Sequence, residues 1–353
     1  MAKSSSVFSP ARAPFIIAEA GVNHNGDANL ARELVHAAKE AGADCVKFQT
    51  FRAGRVASAM APKAAYQLAV TDPKESQIAM LRNLEMSEAL HVELIELCKT
   101  LGIEFLSTPY NFDDIDFLNS LNVFAFKLAS LHCAEPAFIG YAAEKGKPLI
   151  LSTGMATLAE VDVAIRTIRE SGCPEHVVLQ CTTDYPAKIE DANLRAMETI
   201  RSAFGVNVGY SDHTAGYTAC ISAVALGATV IEKHITLDRK MAGPDHSTSM
   251  EQHEFAALVR ELRDARKSLG NSLKEPSQSE RRNMLGMRRS IVAAHALRAG
   301  TRVALRDLDF RRPASGIPAA FASQFIGRSL TRDIEAGEQL DWSDIGALGA
   351  ERN

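Results

Sequence analysis

The sequence predicts an α/β fold, in which a (β/α)8 TIM barrel is followed by a small, mostly irregular or β module. Three observations lead to this prediction. Eight short apolar runs recur through residues 15–269, amphipathic helical patterns separate most of them, and the composition changes after residue 285. Eight β-α units of about 30 residues each match the size of such a barrel. An open, doubly wound sheet is the competing architecture, but no Gly-x-Gly-x-x-Gly follows the first run.

The eight apolar runs are interpreted as strands. They begin, in chain order, at Phe15, Cys45, Glu104, Ala125, Pro148, Val177, Val206 and Thr229. The clearest helix between them is NLARELVHAAKEAGA, in which apolar residues recur on one face from Leu30 to Ala41. We expect Asp27 to cap the start of this helix and Gly42 to mark its end.

Composition divides the chain into four segments. We expect a tail at residues 1–14, the barrel at 15–269, a linker at 270–285 and a terminal module at 286–353. ALRAGTRV and DIEAGEQL within the terminal module look like an internal duplication. Residues 52–86 form a long insertion after the second strand, and connections of this length are usually functional or mobile.

The overall composition excludes several classes of protein. The net charge of −4 gives no global basic field that would attract nucleic acid or an anionic membrane. No apolar run approaches the roughly 18 residues that span a membrane, and the N-terminus lacks the apolar core of a signal peptide. The six cysteines form no C-x-x-C pair, which indicates reduced thiols and a cytoplasmic protein.

Two histidines lie at the ends of the last two strands, where the active site of a barrel is built. Because side chains alternate along a strand, Ser211 and His213 share a face, as do Glu232 and His234. Each histidine alone could be an ordinary polar loop residue. The pair, at the same point of two successive strands, indicates a site in which both imidazoles bind one metal ion.

Two lysines, Lys47 and Lys127, lie within apolar strands, where an unpaired charge is costly to bury. An anion could offset that cost, and hydroxyls occur at four other strand ends: Thr108, Ser130, Ser152 and Ser211. This set predicts a receptor for a phosphate and a carboxylate. A structural ion pair with Glu19 or Glu232, or a Schiff-base lysine, is the alternative.

These motifs resemble the sialic acid synthase family. The matching segments are IIAEAGVNHNGD, AGADCVKFQTF, FLSTPY, FKLAS, KPLILSTGMAT, CTTDYP, GYSDHT, ALGATVIEKHITLD and GPDHSTS. The terminal module resembles the antifreeze-like SAF domain, a β-clip, that ends those enzymes. The resemblance runs from about residue 15 to the end of the chain.

The resemblance implies a reaction. Phosphoenolpyruvate condenses with an open-chain N-acylated hexosamine, most often N-acetylmannosamine, giving a nine-carbon 2-keto acid of the N-acetylneuraminate type and phosphate. The C–O bond of phosphoenolpyruvate breaks, and a divalent ion is used, with Mn²⁺ expected and Mg²⁺ or Co²⁺ as alternatives. It further implies a domain-swapped homodimer in which Arg312 acts on the other subunit's site.

Roles also follow from the resemblance. The residues that would hold phosphoenolpyruvate are Lys47, Gln49, Thr108, Lys127, Ser130, Ser152 and Ser211. His213 and His234 would bind the metal. The residues that would contact the sugar are Tyr185, Asp245, Arg312 and His132. Glu19 and Glu232 are the candidates to position or deprotonate the attacking water.

Two departures from the family pattern concern the sugar. His132 stands where many relatives have a glutamate, and Arg312 opens Arg-Pro-Ala-Ser-Gly where relatives commonly have Arg-Pro-Gly-x-Gly. The acceptor could therefore be a diacetamido trideoxy sugar, as in legionaminic or pseudaminic acid synthesis, or a phosphorylated sugar. A barrel aldolase that does not use phosphoenolpyruvate and a non-catalytic sugar-binding barrel are more distant alternatives. Residues 52–86 are expected to form a lid or part of the sugar pocket.

Overall fold

The computed structural model describes residues 6–58, 61–63, 68, 71–72 and 74–346. The chain divides into two compact units between Gly270 and Asn271. In the described residues, no helix combines the length and the apolar character that crossing a membrane requires.

The first unit is built around a ring of parallel strands, whose bounds are β1 (Phe15–Gly21), β2 (Cys45–Thr50), β3 (Glu104–Pro109), β4 (Phe126–Leu128), β5 (Leu149–Ser152), β6 (His176–Cys181), β7 (Asn207–Asp212) and β8 (Val230–Thr236). Each strand begins within one residue of its predicted start. The order is β3-β2-β1-β8-β7-β6-β5-β4. β3 and β4 pack side by side but share no ladder within the described residues, so the barrel is nearly closed. The predicted fold class is confirmed.

Helices connect the strands. Their bounds are α1 (Ala28–Glu40), α2 (Ala53–Val56), α3 (Gln77–Asn83), α4 (Glu88–Leu101), α5 (Phe112–Ser120), α6 (Pro136–Ala143), α7 (Leu158–Glu170), α8 (Arg195–Phe204), α9 (Thr218–Ala225) and α10 (Gln252–Ser268). α1 shows how the sequence sets the ends. The Asp27 carboxylate accepts hydrogen bonds from the backbone N of Asn29 at 2.6 Å and of Leu30 at 3.3 Å, and Gly42 follows with φ +84°.

The two faces of the strands have different surroundings. Residues such as Ile16 and Val46 point outward and pack against the helices. Their direct neighbours along the strands, such as Ile17 and Cys45, point inward and fill the barrel at the start of the strands. Because side chains alternate, the next inward positions are polar, beginning with Glu19 after Ile17 and Lys47 after Cys45. The inner face therefore changes from apolar to polar along the strands.

The second unit has helix α11 (Gln278–Met287) and an antiparallel pair, β10 (Ser290–Ala293) with β11 (Leu308–Arg311). A short strand of the first unit, β9 (Met250–Glu251), pairs with the end of β8 and was not predicted. Leu297 and Ile334 hold equivalent positions in the two repeats, and they exchange two backbone hydrogen bonds of 2.8 Å. The duplication therefore forms a symmetric pairing.

Candidate active site

A cavity of about 300 Å³ opens at the carboxyl ends of the barrel strands. It is lined by thirteen of the predicted site residues: Glu19, Lys47, Gln49, Thr108, Lys127, Ser130, Ser152, Tyr185, Ser211, His213, Glu232, His234 and Asp245. They come from strands that are far apart in sequence. The parallel barrel brings them together because all its strands end at the same side.

Two lysines and two glutamates form a charged cluster at the base of the cavity. Lys47 Nζ lies 2.6 Å from Glu19 Oε2 and 3.8 Å from Glu232 Oε2. Lys127 Nζ lies 3.3 Å from Glu232 Oε1. All four residues are at most 5% exposed. The ion pairs foreseen as an alternative are therefore present, and the two positive charges are held beside two carboxyl groups.

Hydroxyl groups complete the polar floor. Lys47 Nζ donates to Thr108 Oγ1 at 2.9 Å, and Ser211 Oγ donates to Glu232 Oε1 at 2.9 Å. The buried Ser152 Oγ has no hydrogen-bond partner among the described residues. Burying a hydroxyl without a hydrogen-bond partner costs free energy, so this hydroxyl marks a position where it could donate to an oxygen of a ligand.

The two glutamates differ in their affinity for protons. Burial raises the pKa of Glu19 to about 7, against the opposing effect of Lys47. Burial also favours the protonated form of Glu232, but Lys127 and Lys47 outweigh it and lower the pKa of Glu232 to about 2. Near neutral pH, Glu232 is therefore charged while Glu19 exchanges a proton.

The two histidines lie side by side, with ring centroids 5.5 Å apart. His213 Nδ1 donates to the Thr182 carbonyl at 2.7 Å. Nε2 is therefore the nitrogen of this ring that remains for a ligand. His234 Nδ1 is buried and has no hydrogen-bond partner in the described part of the chain. Burial, and the neighbouring His213, lower the pKa of His234, so its ring is neutral and can act as a ligand.

These two rings fit a divalent ion that takes two nitrogen ligands from the protein. Across the described ranges, no group of three or more His, Cys, Asp or Glu side chains is arranged to hold a metal. Water and substrate oxygens would therefore complete the coordination. The Tyr185 ring packs against His213 with ring centroids 4.0 Å apart and the planes tilted by 34°. Burial raises the pKa of Asp245, which lines the same cavity, to about 6.

The remaining two predicted site residues do not line this cavity. His132 is buried, its ring stacks on Phe138 at 4.0 Å, and its Nδ1 lies 2.8 Å from Glu135 Oε2. It lines a neighbouring pocket instead. Arg312 belongs to the second unit, where its Nε donates to the Met287 carbonyl at 3.2 Å. The sugar contacts of both residues stay predictions.

Sequence reasoning missed other residues of the cavity. One is Cys181, which shares the inward face of β6 with Leu179 and whose Sγ lies 4.0 Å from His213 Nδ1. The alternation along β6 could have identified it. Seven more form an apolar wall, made of Val22, Phe51, Val56, Met80, Leu81, Leu84 and Tyr110. Several come from the insertion at residues 52–86, which therefore contributes to the cavity.

Comparison with known proteins places the chain among carbohydrate synthases. A model of the NeuB family matches residues 34–274, and a SAF domain model matches residues 288–346. N,N'-diacetyllegionaminic acid synthase of Legionella pneumophila is 45% identical and that of Campylobacter jejuni 43% identical; the matches cover 94% and 92% of this chain and 95% and 98% of those proteins. N-acetylneuraminate-9-phosphate synthase of Mus musculus is 36% identical, covering 92% of this chain and 91% of that protein.

Solved structures agree with this relationship. The crystal structure of an N-acetylneuraminic acid synthetase from Leptospira borgpetersenii, in complex with citrate, matches with a TM-score of 0.68 and 33% identity. The match covers 77% of this chain and 90% of that chain.

Proposed function

The chain belongs to the NeuB family of sialic-acid-type synthases, and from that premise we propose that it condenses phosphoenolpyruvate with an open-chain N-acylated amino sugar. The products are a nine-carbon 2-keto sugar acid and phosphate. The observation that carries this proposal is the buried cluster of Lys47, Lys127, Glu19 and Glu232 at the base of the cavity.

We propose a diacetamido trideoxy hexose as the acceptor, with a product of the N,N'-diacetyllegionaminic type. The relatives at 43% and 45% identity carry that name, whereas the N-acetylneuraminate-9-phosphate synthases of mouse and human are 36% and 32% identical. N-acetylmannosamine, the main expectation from the sequence, has less support than this alternative. Pseudaminic acid synthases at 31–33% identity are also more distant.

The base of the cavity suits the phosphate and carboxylate of phosphoenolpyruvate. Lys47 and Lys127 supply positive charge, and Thr108, Ser152 and Ser211 supply hydroxyls. In the free protein, Glu19 and Glu232 neutralise the charges of the two lysines, and the bound anion would supply part of that negative charge. Charged hydrogen bonds of this kind are about twice as strong as neutral ones, so they would hold the enol carbon toward the acceptor.

The residues above the base would position the sugar aldehyde. A divalent ion such as Mn²⁺, bound by His213 and His234, would polarise the aldehyde oxygen. C3 of phosphoenolpyruvate attacks C1 of the sugar, forming the C–C bond as the C=O π bond of the aldehyde breaks, and the resulting alkoxide oxygen takes a proton from water. C2 is left electron-deficient. Asp245 lines the same cavity and would contact the sugar.

Water then adds to C2 and loses a proton to a carboxylate. Glu19 suits this role because its pKa of about 7 lets it accept and release a proton near neutral pH. Glu232 stays charged, holding Lys47 and Lys127 in place. The tetrahedral intermediate collapses to the 2-keto acid, breaking the C2–O bond and releasing phosphate.

The test is phosphate release from phosphoenolpyruvate with Mn²⁺, using three acceptors: N-acetylmannosamine, its 6-phosphate and the diacetamido trideoxy sugar. Release should be fastest with the last, should stop on adding a chelator and should be absent without acceptor. Release with N-acetylmannosamine alone would contradict the proposed acceptor, but it would still support the proposed reaction with phosphoenolpyruvate. Silence with every acceptor, in a folded and metal-loaded protein, would favour the sugar-binding barrel.

We also propose that the protein is a homodimer, as the family resemblance implies. Sedimentation of the full chain measures this directly. A single monomeric species at micromolar concentration would contradict it.

A further inference from the structure

The cavity has two chemically different sides. Its base carries the charged cluster, whereas the apolar wall defined above faces the same space. Val22, Phe51, Met80 and Leu84 pack against one another in the wall, and each is at most 6% exposed. The wall is therefore a fixed surface of the cavity.

One face of α3 provides much of this wall. Gln77, Met80 and Leu81 of α3 line the cavity together with Leu84, which directly follows the helix, and the four follow one another at intervals of three, one and three residues. This spacing places them on a single face of a helix. The Ser76 hydroxyl caps α3 by accepting from Ala79 N at 3.2 Å, which fixes the start of the helix. The apolar face is thus presented to the cavity by local structure.

The chemistry of this wall discriminates between acceptors. N-acetylmannosamine carries hydroxyls at C4 and C6, and a diacetamido trideoxy hexose carries an acetamido group at C4 and a methyl group at C6. A hydroxyl that leaves water for an apolar surface loses its hydrogen bonds to water, which is unfavourable. A methyl group gains by the same move. Among the described residues of α3 that line the cavity, Gln77 offers the polar side chain.

We propose that the α3 face of the apolar wall receives the methyl-bearing end of the acceptor and selects a deoxy, diacetamido sugar over N-acetylmannosamine. This inference rests on the proposed function, because phosphoenolpyruvate must occupy the charged base for the acceptor's far end to reach the wall. Leu81 is the specificity residue best suited to a test. It is half-buried, packs against the cluster that contains Met80 and Leu84, and lines the cavity.

The variant is Leu81→Gln, and its matched control is Ile78→Gln. Ile78 lies on the same helix and is also half-buried, but it does not line the cavity. In Leu81→Gln, the ratio of kcat/KM for the diacetamido sugar over N-acetylmannosamine should fall by about 10-fold or more, on the scale that apolar pockets discriminate. The KM for phosphoenolpyruvate should not change. Ile78→Gln should keep the wild-type ratio.

A second measurement separates this inference from the proposed function. The reduced, unreactive alditols of both acceptors are titrated calorimetrically in the presence of phosphoenolpyruvate. If the diacetamido alditol binds more tightly than the alditol of N-acetylmannosamine, and Leu81→Gln but not Ile78→Gln removes this difference, the proposed role of the apolar wall is supported even without turnover. If Leu81→Gln releases phosphate with the wild-type ratio of kcat/KM for the two acceptors, the proposed role of the apolar wall is wrong, while the proposed reaction is still supported. Equal binding of both alditols to the wild-type protein also overturns it.

Discussion

Asp212 and Lys233 form a buried ion pair directly behind the two histidines of the cavity. They are partners in the register of β7 and β8, and Lys233 Nζ lies 2.6 Å from Asp212 Oδ2. Their side chains are 0% and 2% exposed. Because side chains alternate, the pair points away from the cavity while the next residues, His213 and His234, line it. The pair therefore ties together the two strand ends that carry both imidazoles.

Removing the lysine should destabilise the barrel. Lys233→Met leaves the Asp212 carboxylate buried without its cation, and breaking such a pair costs about 3–5 kcal/mol. The free energy of unfolding, measured with urea, should fall by that amount. Lys267→Met is the control, because Lys267 forms an exposed pair with Asp264 that is worth under about 1 kcal/mol. A similar small loss in both variants would contradict the prediction.

Glu19 should make the affinity for phosphoenolpyruvate depend on pH. Burial raises the pKa of this carboxyl to about 7, so it is protonated below that pH and no longer offsets the charge of Lys47, which then has only Glu232 at 3.8 Å as a charged partner among the described residues. The anion should therefore bind more tightly below pH 7 and more weakly as the pH rises through 7. Calorimetry between pH 6 and about pH 8 measures the effect.

Glu19→Gln tests both the binding and the chemical role of this residue. Turnover should fall about 10²- to 10⁴-fold, the usual range for a general base. Phosphoenolpyruvate should still bind, and its affinity should lose the pH dependence of the wild-type protein. Loss of binding instead would show that Glu19 holds the substrate or the fold.

Lys127 should contribute directly to the affinity for phosphoenolpyruvate. Lys127→Met should raise the dissociation constant roughly 10- to 100-fold, the range for hydrogen bonds to charged groups. The exposed Lys240 provides the control, since Lys240→Met changes the net charge equally. Equal losses in the two variants would indicate a general electrostatic effect without a specific contact.

His234 should be needed for binding a metal ion. Titration of Mn²⁺, followed by electron paramagnetic resonance, should show at least about ten-fold weaker binding in His234→Ala, since even residues outside a coordination shell change affinity by about 10- to 100-fold. His253→Ala is matched to it, because the His253 side chain is 77% exposed. Unchanged Mn²⁺ affinity in His234→Ala would refute the metal site.

The barrel and the base of the cavity could be predicted from the sequence because both follow from alternation along strands. Knowing that Glu19 or Lys47 points inward requires only the start of its strand. Ion pairs between these lysines and Glu19 or Glu232 were foreseen only as an alternative, because which charge meets which depends on the stagger between strands. In the structure, Glu19 is the register partner of both Lys47 and His234.

Two parts of the site could not be derived in this way. Alternation does not apply to the 3-10 helix Ser130–Ala134, so Ser130 lines the cavity while His132, two residues later, stacks on Phe138. The apolar wall depends on how the insertion at residues 52–86 packs on Val22 and Phe51. That packing is a long-range tertiary contact and has no local signature in the sequence.

The gap between β3 and β4 has a consequence for the dynamics of the barrel. β4 is hydrogen-bonded on its β5 side, and within the described strands it lacks a ladder to β3. Thr108 on β3 and Lys127 on β4 both line the cavity. A phosphate held by both would link the two strands non-covalently. Amide hydrogen exchange along β4 should therefore slow when phosphoenolpyruvate binds. The bound substrate would then connect the two described strands of the barrel that no ladder joins in the free protein.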